Sequence, residues 1–434
     1  MSHRCDIAVI GAGAAGLTAA IFAAETARKR KTSPSIVVLD SARKVGAKIL
    51  VSGGGRCNVT HDEIHPEDYN GSRNIVRNIL AAFDEQATVR WFASLGVALK
   101  QEETGKLFPT SDSARTVLQA LLQRCTELGV TILTGRRVVG VIPLEERGSL
   151  ADAHVTTFAV RHEHGEFFAR NVIMATGGRS LPKTGSDGGG WGIVRRLGHT
   201  VTTTVPALVP LVLSDKMFHA SVSGISVTVE LSTSVNGKMI DRRTGSLLWT
   251  HFGVSGPVVM DASRHWALAR ANGQTVEIHC NFFPEQSFEH VEKWLIAMAS
   301  ARPRGTVNNL LAERLPDRLA RVLLHEAAIE PAVQLGQLTR ERRRALVHAL
   351  TNFLLPVERD RGWNFAEVTA GGVPLQEIDY RTMESRKMPG IFLIGELLDC
   401  DGRIGGFNFQ WAWATGYLAG RAVGSLLVPP QGEY

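Results

Sequence analysis

The sequence predicts an α/β fold in which a parallel-sheet domain is discontinuous, with a β domain and a helical domain inserted before its C-terminal strand and helix. Three observations predict it. Residues 6–40 read as strand, helix and parallel strand, and residues 391–426 restore a buried strand followed by a helix. The texture in between changes twice, first to alternating β-type segments and then to helical, arginine-rich sequence. The expected boundaries are 1–198 and 361–434 for the discontinuous domain, 199–284 for the β insert and 285–360 for the helical insert.

The chain has 434 residues, more than a single core usually accommodates, so two or three domains are expected. A hydrophobic share of 44% and a charged share of 21% exclude a disordered or fibrous protein. The net charge of +6 permits nucleic acid or an anionic substrate without demonstrating either. Five scattered cysteines with no C-x-x-C exclude a disulfide framework, a zinc ribbon and a neighbouring dithiol, and point to a reducing cytoplasm.

The first strand is Asp6–Ile10, the helix runs from Ala14 to about Arg28, and the second strand is Ser35–Asp40. Ile7–Ala24 is apolar enough to imitate a membrane span or signal peptide, but Asp6, Gly11, Gly13 and Gly16 fit strand, turn and helix; no membrane association is expected. The basic run Arg28–Lys31 reads either as a helix end matched to its dipole or as a phosphate-contacting patch. Residues 41–60 are glycine-rich and irregular. Helices follow near 74–83, 86–95 and 113–128, and strands at 130–133, 138–142, 155–160 and 171–175. In the β insert, Ser226–Leu231 is a strand and Asn236-Gly237 a hairpin turn. The helical insert carries Arg314, Arg318, Arg321 and Arg342–Arg344, with Glu313, Asp317, Glu326, Glu330 and Glu341 available to pair them. Trp411 and Trp413, two apart on the last helix, read as core and help RNA binding only if exposed.

Gly11-Ala-Gly13-Ala-Ala-Gly16 is a G-x-G-x-x-G between strand and helix: a tight turn, a close approach for a pyrophosphate, and helix-on-strand packing. Asp40 ends the second strand, where a carboxylate accepts ribose hydroxyls. This makes the domain Rossmann-type and dinucleotide-binding, without deciding between NAD and FAD. Lys48, Gly53, Gly54, Arg56, Cys57 and Asn58 join flexible amides to two cations, a chemistry suited to a pyrophosphate and an electron-rich ring; the alternative is an exposed glycine loop. Gly395-Glu396, and Gly405-Gly406-Phe407-Asn408 opening a helix, put unpaired amides and a positive dipole end beside a ligand, unless Asn408 simply caps the helix.

Together KILVSGGGRCNVT, ATGG, THFGVSGP, AEVTAGGV and GELLDCDGRIGGFNFQWAWATG resemble the HI0933-like flavoproteins, also called the YhiN or BaiN-like family. The resemblance implies a discontinuous FAD-binding domain with a β and a helical insert. It implies FAD contacts at Gly13, Ala14, Ala15, Gly16, Asp40, Ser41, Lys48, Gly53, Gly54, Cys57, Asn58, Thr176 and Gly177. It further implies Glu396 at the ribityl chain, Gly406 to Asn408 at the isoalloxazine, and a backbone group of Val139 toward adenine. The family's activities include reduction of activated C=C bonds in steroid enones and in a uridine of large-subunit rRNA, and some members are regarded as amine oxidases. The resemblance thus implies an FAD oxidoreductase with NAD(P)H as a transient donor, since no second dinucleotide fingerprint is present. Lys48, Cys57, His251 and Arg403 are the candidates for polarising a carbonyl and delivering a proton, with packing as the alternative for Cys57 and His251. A flavin-bearing protein that binds ribosomal RNA through its basic insert without turnover is the non-enzymatic alternative.

Overall fold

The computed structural model describes residues 3–144 and 157–427. Two compact units emerge, Met1–Thr204 with Val368–Tyr434, and Val205–Glu367.

The first unit is built on a parallel sheet. Strand β1 (His3–Ile10) is central, flanked on one side by β2 (Ile36–Leu39) and the strand Thr131–Leu133, and on the other by β3 (Gly165–Met174) and β4 (Ile391–Leu393). β2 and β4 are buried along their whole length, as expected of a parallel sheet covered on both faces. The antiparallel strands Val138–Leu144 and Thr157–His162 hang from β3; the start of the expected strand 155–160 lies outside the described residues. Helix α1 (Ala14–Lys29) follows β1, and the short α2 (Ala47–Val51) lies within the segment expected to be irregular. The apolar run 7–24 is thus strand, turn and helix, and among the described residues no helix is long and apolar enough to cross a membrane. Arg28 and Lys29 occupy the last turn of α1, and Arg28 donates to the Glu127 carbonyl at 2.7 Å, so the helix-end reading of this basic run describes it.

The C-terminal helix α3 (Phe407–Leu426) closes the unit by lying against α1. Gly416, Gly420 and Gly424 recur every four residues, and a Cβ on each would come within 2.7, 2.5 and 2.5 Å of the Ala15, Ala19 and Ala23 carbonyls. Side chains there would hold the helices apart, so small residues set their separation. Trp411 and Trp413 are buried, donating to the Gly395 carbonyl at 3.2 Å and the Val59 carbonyl at 2.8 Å. Neither presents a face to RNA.

The second unit carries an antiparallel sheet ordered Phe353–Leu355, Val276–Asn281, Ser226–Val235, Lys238–Thr250, Gly253–Ser255, Leu211–Leu213 and Val357–Asp360. Asn236 and Gly237 both have positive φ, 49° and 76°, in a two-residue hairpin turn. The expected β and helical inserts are not separated at 284. Residues 353–355 pair with one edge of the sheet and 357–360 with the other, so the sheet curls round and its edges meet at Pro356. Edge backbone groups left by the β segment need partners, and the chain returning from the helices supplies them.

Beside helix Pro257–Ala271 lies a charged cluster. Both Asp241 carboxylate oxygens accept from Arg243 Nε at 2.9 Å, and His265 Nε2, 3.8 Å from Asp241, is buried without a hydrogen-bond partner among the described residues. Burial, opposed by the Asp241 charge, pushes His265 down to about 4. The folded state therefore holds a neutral imidazole, whereas the unfolded chain takes up a proton near the ordinary histidine value. Stability should be intact above pH 6.5 and fall as pH drops toward 4. Urea unfolding at pH 7 and 5 should show a loss on the order of 1–2 kcal/mol that His265→Gln removes; an equal loss in the variant would assign the acid sensitivity elsewhere.

Candidate active site

The turn between β1 and α1 gives its three glycines three separate reasons. Gly11 has φ of 109°, and a Cβ there would lie 2.3 Å from the Ala175 carbonyl oxygen. A Cβ on Gly16 would lie 1.9 Å from the Gly11 oxygen, so this glycine lets the helix sit on the strand. At Gly13, by contrast, a Cβ meets nothing within 4 Å, and the residue begins α1 without a side-chain cap. The helix end thus offers amides toward open space, the arrangement that a pyrophosphate-binding turn requires. Asp40 accepts from the Ala12 amide on one oxygen and the Ala42 amide on the other, both at 2.7 Å, which fixes the carboxylate with lone pairs to spare for ribose hydroxyls. Ser41 is exposed, with Ala14 and Ala15 in the first turn of α1.

After α2, Gly53 and Gly54 take positive φ of 55° and 69°, and Gly54 has open space around its missing side chain. Asn58 is buried with no partner for its Oδ1 among the described residues. Thr176 Oγ1 at the end of β3, next to Gly177, and Ser186 Oγ are orphaned likewise. Such atoms are costly unless a ligand or water satisfies them, and together with the open backbone at Gly13 and Gly54 they fit a dinucleotide such as FAD. Arg56 differs from expectation. Its guanidinium lies 4.0 Å over the Phe108 ring and 2.5 Å from Glu102, so packing and an ion pair occupy the cation proposed for a pyrophosphate. Cys57 is wholly buried, and burial pushes its thiol up to about 12; it is a neutral packing group, not a ready proton donor.

Lys48 reaches Glu396, just past β4. Its ammonium donates to Glu396 Oε2 and to Ser180 Oγ, the latter at 2.5 Å, while Glu396 Oε1 accepts from Ser180 Oγ at 2.7 Å and from the Thr369 amide at 2.8 Å. Thr369 Oγ1 accepts in turn from the Arg179 and Ser180 amides at 2.8 and 3.1 Å. A Cβ on Gly178 would sit 2.4 Å from Thr369 Oγ1 and 2.8 Å from Glu396 Oε1, so the second glycine of ATGG makes room for the network. Ser180, Thr369 and Gly178 were given no role from the sequence; Gly178 lies in ATGG and Thr369 in AEVTAGGV, segments whose purpose the fold reveals.

The HI0933-like protein Rossmann domain matches residues 5–422. The chain belongs to the HI0933-like family. It is an FAD-dependent oxidoreductase. A 3-dehydro-bile acid delta(4,6)-reductase of Clostridium scindens is 35% identical over 96% of this chain and 98% of its own length. A ribosomal RNA dihydrouridine synthase of Escherichia coli is 33% identical over 96% and 97%. Among solved structures, a 3-ketosteroid delta1-dehydrogenase from Sterolibacterium denitrificans aligns with a TM-score of 0.51 at 11% identity, over 98% of this chain and all of the other. A quinol-fumarate reductase aligns at 0.50 and 16%, over all of this chain and 73% of the other. At those identities the likeness is one of fold.

In this HI0933-like chain, Gly395 (φ 68°) leads into Glu396, and Gly405 and Gly406 (φ 134° and 97°) lead into α3. Asn408 does not cap the helix: Oδ1 accepts from the Gly402 amide at 2.8 Å and Nδ2 donates to the Gly402 carbonyl at 2.9 Å, pinning the approach instead. A Cβ on Gly406 would meet the Thr60 backbone at 2.7 Å and Asn58 Oδ1 at 2.9 Å, so residues 58–60 adjoin the helix start, whose ring Phe407 stacks on His61. Arg403 donates to Asp68 Oδ1 at 3.2 Å and keeps 42% of its side chain exposed. Val139 is the bulged residue between the pairs at Val138 and Gly140, and its carbonyl accepts from Arg196 at 2.8 Å. His251 belongs to the second unit, exposed at the turn before Gly253.

Proposed function

We propose that this enzyme reduces an activated C=C bond with electrons from NAD(P)H, and that its substrate is a uridine of 23S rRNA, converted to dihydrouridine. One observation carries the chemistry: two relatives matched over nearly the whole chain are named for adding hydrogen across a double bond conjugated to a carbonyl. FAD, when bound and reduced, supplies the hydride. The FAD contacts named from the sequence are proposed as its cradle, with Gly13 and Gly54 offering open backbone to the phosphates and Lys48, Ser180 and Thr369 holding Glu396 in one orientation. Arg403 is proposed to polarise the carbonyl. His251 is proposed as the acid, because Cys57 is a buried neutral thiol and Lys48 is engaged by Glu396. The five free thiols suit a reducing compartment, and we place the enzyme in the cytoplasm.

RNA recognition draws little support from net charge in the helical segment, where acidic residues equal arginines in number and Lys293 leaves a single positive excess. Arg302, Arg321 and Arg343 pair with Glu313, Asp317 and Glu292, and Arg314 and Arg344 lie over aromatic rings. A second reading, a small-molecule enone reductase, is favoured by the Clostridium relative. Under anaerobic conditions NADH or NADPH should bleach the bound flavin, and 23S rRNA from deletion cells should lack a dihydrouridine that the wild-type gene restores. Flavin that stays oxidised with both donors but is reduced by an amine would replace the reading with an amine oxidase. Unchanged dihydrouridine with an active flavin would move the substrate to a small enone; bound flavin without any turnover would leave a non-catalytic RNA-binding protein.

A further inference from the structure

In the second unit, just past the strand Val357–Asp360, Arg361 lies between two phenyl rings, its guanidinium carbon 4.1 Å from the Phe252 centroid and 3.7 Å from that of Phe365. The backbone around it is anchored. The Arg361 amide donates to the Pro210 carbonyl at 3.1 Å, and Asp360 Oδ1 accepts from the amide of Gly362 at 2.7 Å, where the chain turns with φ of 76°. The two rings hold the guanidinium without supplying a counter-charge, and Arg361 pairs with no carboxylate among the described residues. Phe365 remains 46% exposed, unusual for so large an apolar ring.

An ordered, unneutralised fork of donors beside a half-exposed aromatic face matches the two halves of a nucleotide, an anionic phosphate and a flat base. We propose that Phe252, Arg361 and Phe365 form a nucleotide-binding platform, with a base stacking on Phe365 and Arg361 taking the phosphate. This deepens the reading above, in which acceptor and donor are both nucleotides. An RNA nucleotide and the adenosine half of NAD(P)H share the chemistry, so both are tested.

FAD-loaded full-length protein is titrated with a fluorescein-labelled single-stranded oligouridylate, followed by anisotropy, and separately with NADPH, followed by calorimetry. Phe365→Ala should weaken the relevant probe by about tenfold, and Phe365→Tyr should stay near wild type. Arg361→Met should weaken binding as well and, for RNA, lower the salt slope by about one. Loss confined to one probe names the source, and either loss supports the platform. The proposal is overturned if both variants, with wild-type flavin content and melting temperature, bind both probes as the parent does, or if a bile acid but not AMP displaces the bound probe. Dihydrouridine formation is assayed on the same preparation: product with binding unaffected by the substitutions overturns the platform alone, whereas no product and no binding overturns the functional reading with it.

Discussion

Gly16→Ala is expected to destabilise the flavin-free protein by about 3 kcal/mol or more, whereas Gly13→Ala should leave that stability unchanged and lose FAD. The added methyl is the same in both; its surroundings differ. At Gly16 it lands 1.9 Å from a backbone oxygen, and only separation of α1 from β1 relieves the clash. Gly13 has φ of −83°, which alanine adopts readily, and no protein atom lies within 4 Å of the new methyl. Only a ligand drawn against the backbone would feel it. Thermal unfolding of the apoproteins and flavin absorbance after gel filtration measure the two effects. A Gly13→Ala protein that retains FAD like the parent would show that the pyrophosphate does not approach there.

The second large effect is expected at Glu396. Its two oxygens collect a lysine ammonium, a serine hydroxyl and a backbone amide, from segments lying before and after the inserted unit. Glu396→Gln turns one acceptor into a donor, so either Lys48 or the Ser180–Thr369 pair faces another N–H. The pair is only partly shielded from water, which reduces the loss below that of a fully buried ion pair. Stability should fall by about 2 kcal/mol and FAD affinity by about tenfold or more. Thr369→Val, which removes the hydroxyl oxygen that accepts from the Arg179 and Ser180 amides, should lose flavin too, and Thr369→Ser should restore it. Wild-type flavin occupancy in Glu396→Gln and Thr369→Val would mean that the network supports the fold without holding the cofactor.

Much of the first unit was legible because its signals are local. β1, the glycine turn and α1 lie within residues 3–29, and Gly11 and Gly16 are explained by atoms of the same strand–turn–helix or of the adjacent strand end. Asp40 and the helix opened by Gly406 are likewise end-of-element positions that alternation and glycine placement reveal. The segment 41–60 hid α2, because five residues among glycines carry too little periodicity to register. The division of the inserted region was misjudged for another reason: two three- and four-residue strands after the helices have little pattern of their own and become strands by filling edges.

By itself the sequence determined the glycine turn, the acidic strand end, the Rossmann-type α/β class and the family, since these rest on spacing along the chain. The tertiary structure alone decided how the polar groups are used. It gave Arg56 to Glu102 and Phe108, sealed Cys57 and both tryptophans of α3 in the interior, and brought Lys48, Ser180, Thr369 and Glu396 together across separations of up to 348 residues. It also set Arg361 between two phenyl rings. Periodicity reports which face of an element is buried, but a hydrogen-bond or stacking partner is chosen by whichever distant segment the packed sheets and helices bring within about 3–4 Å.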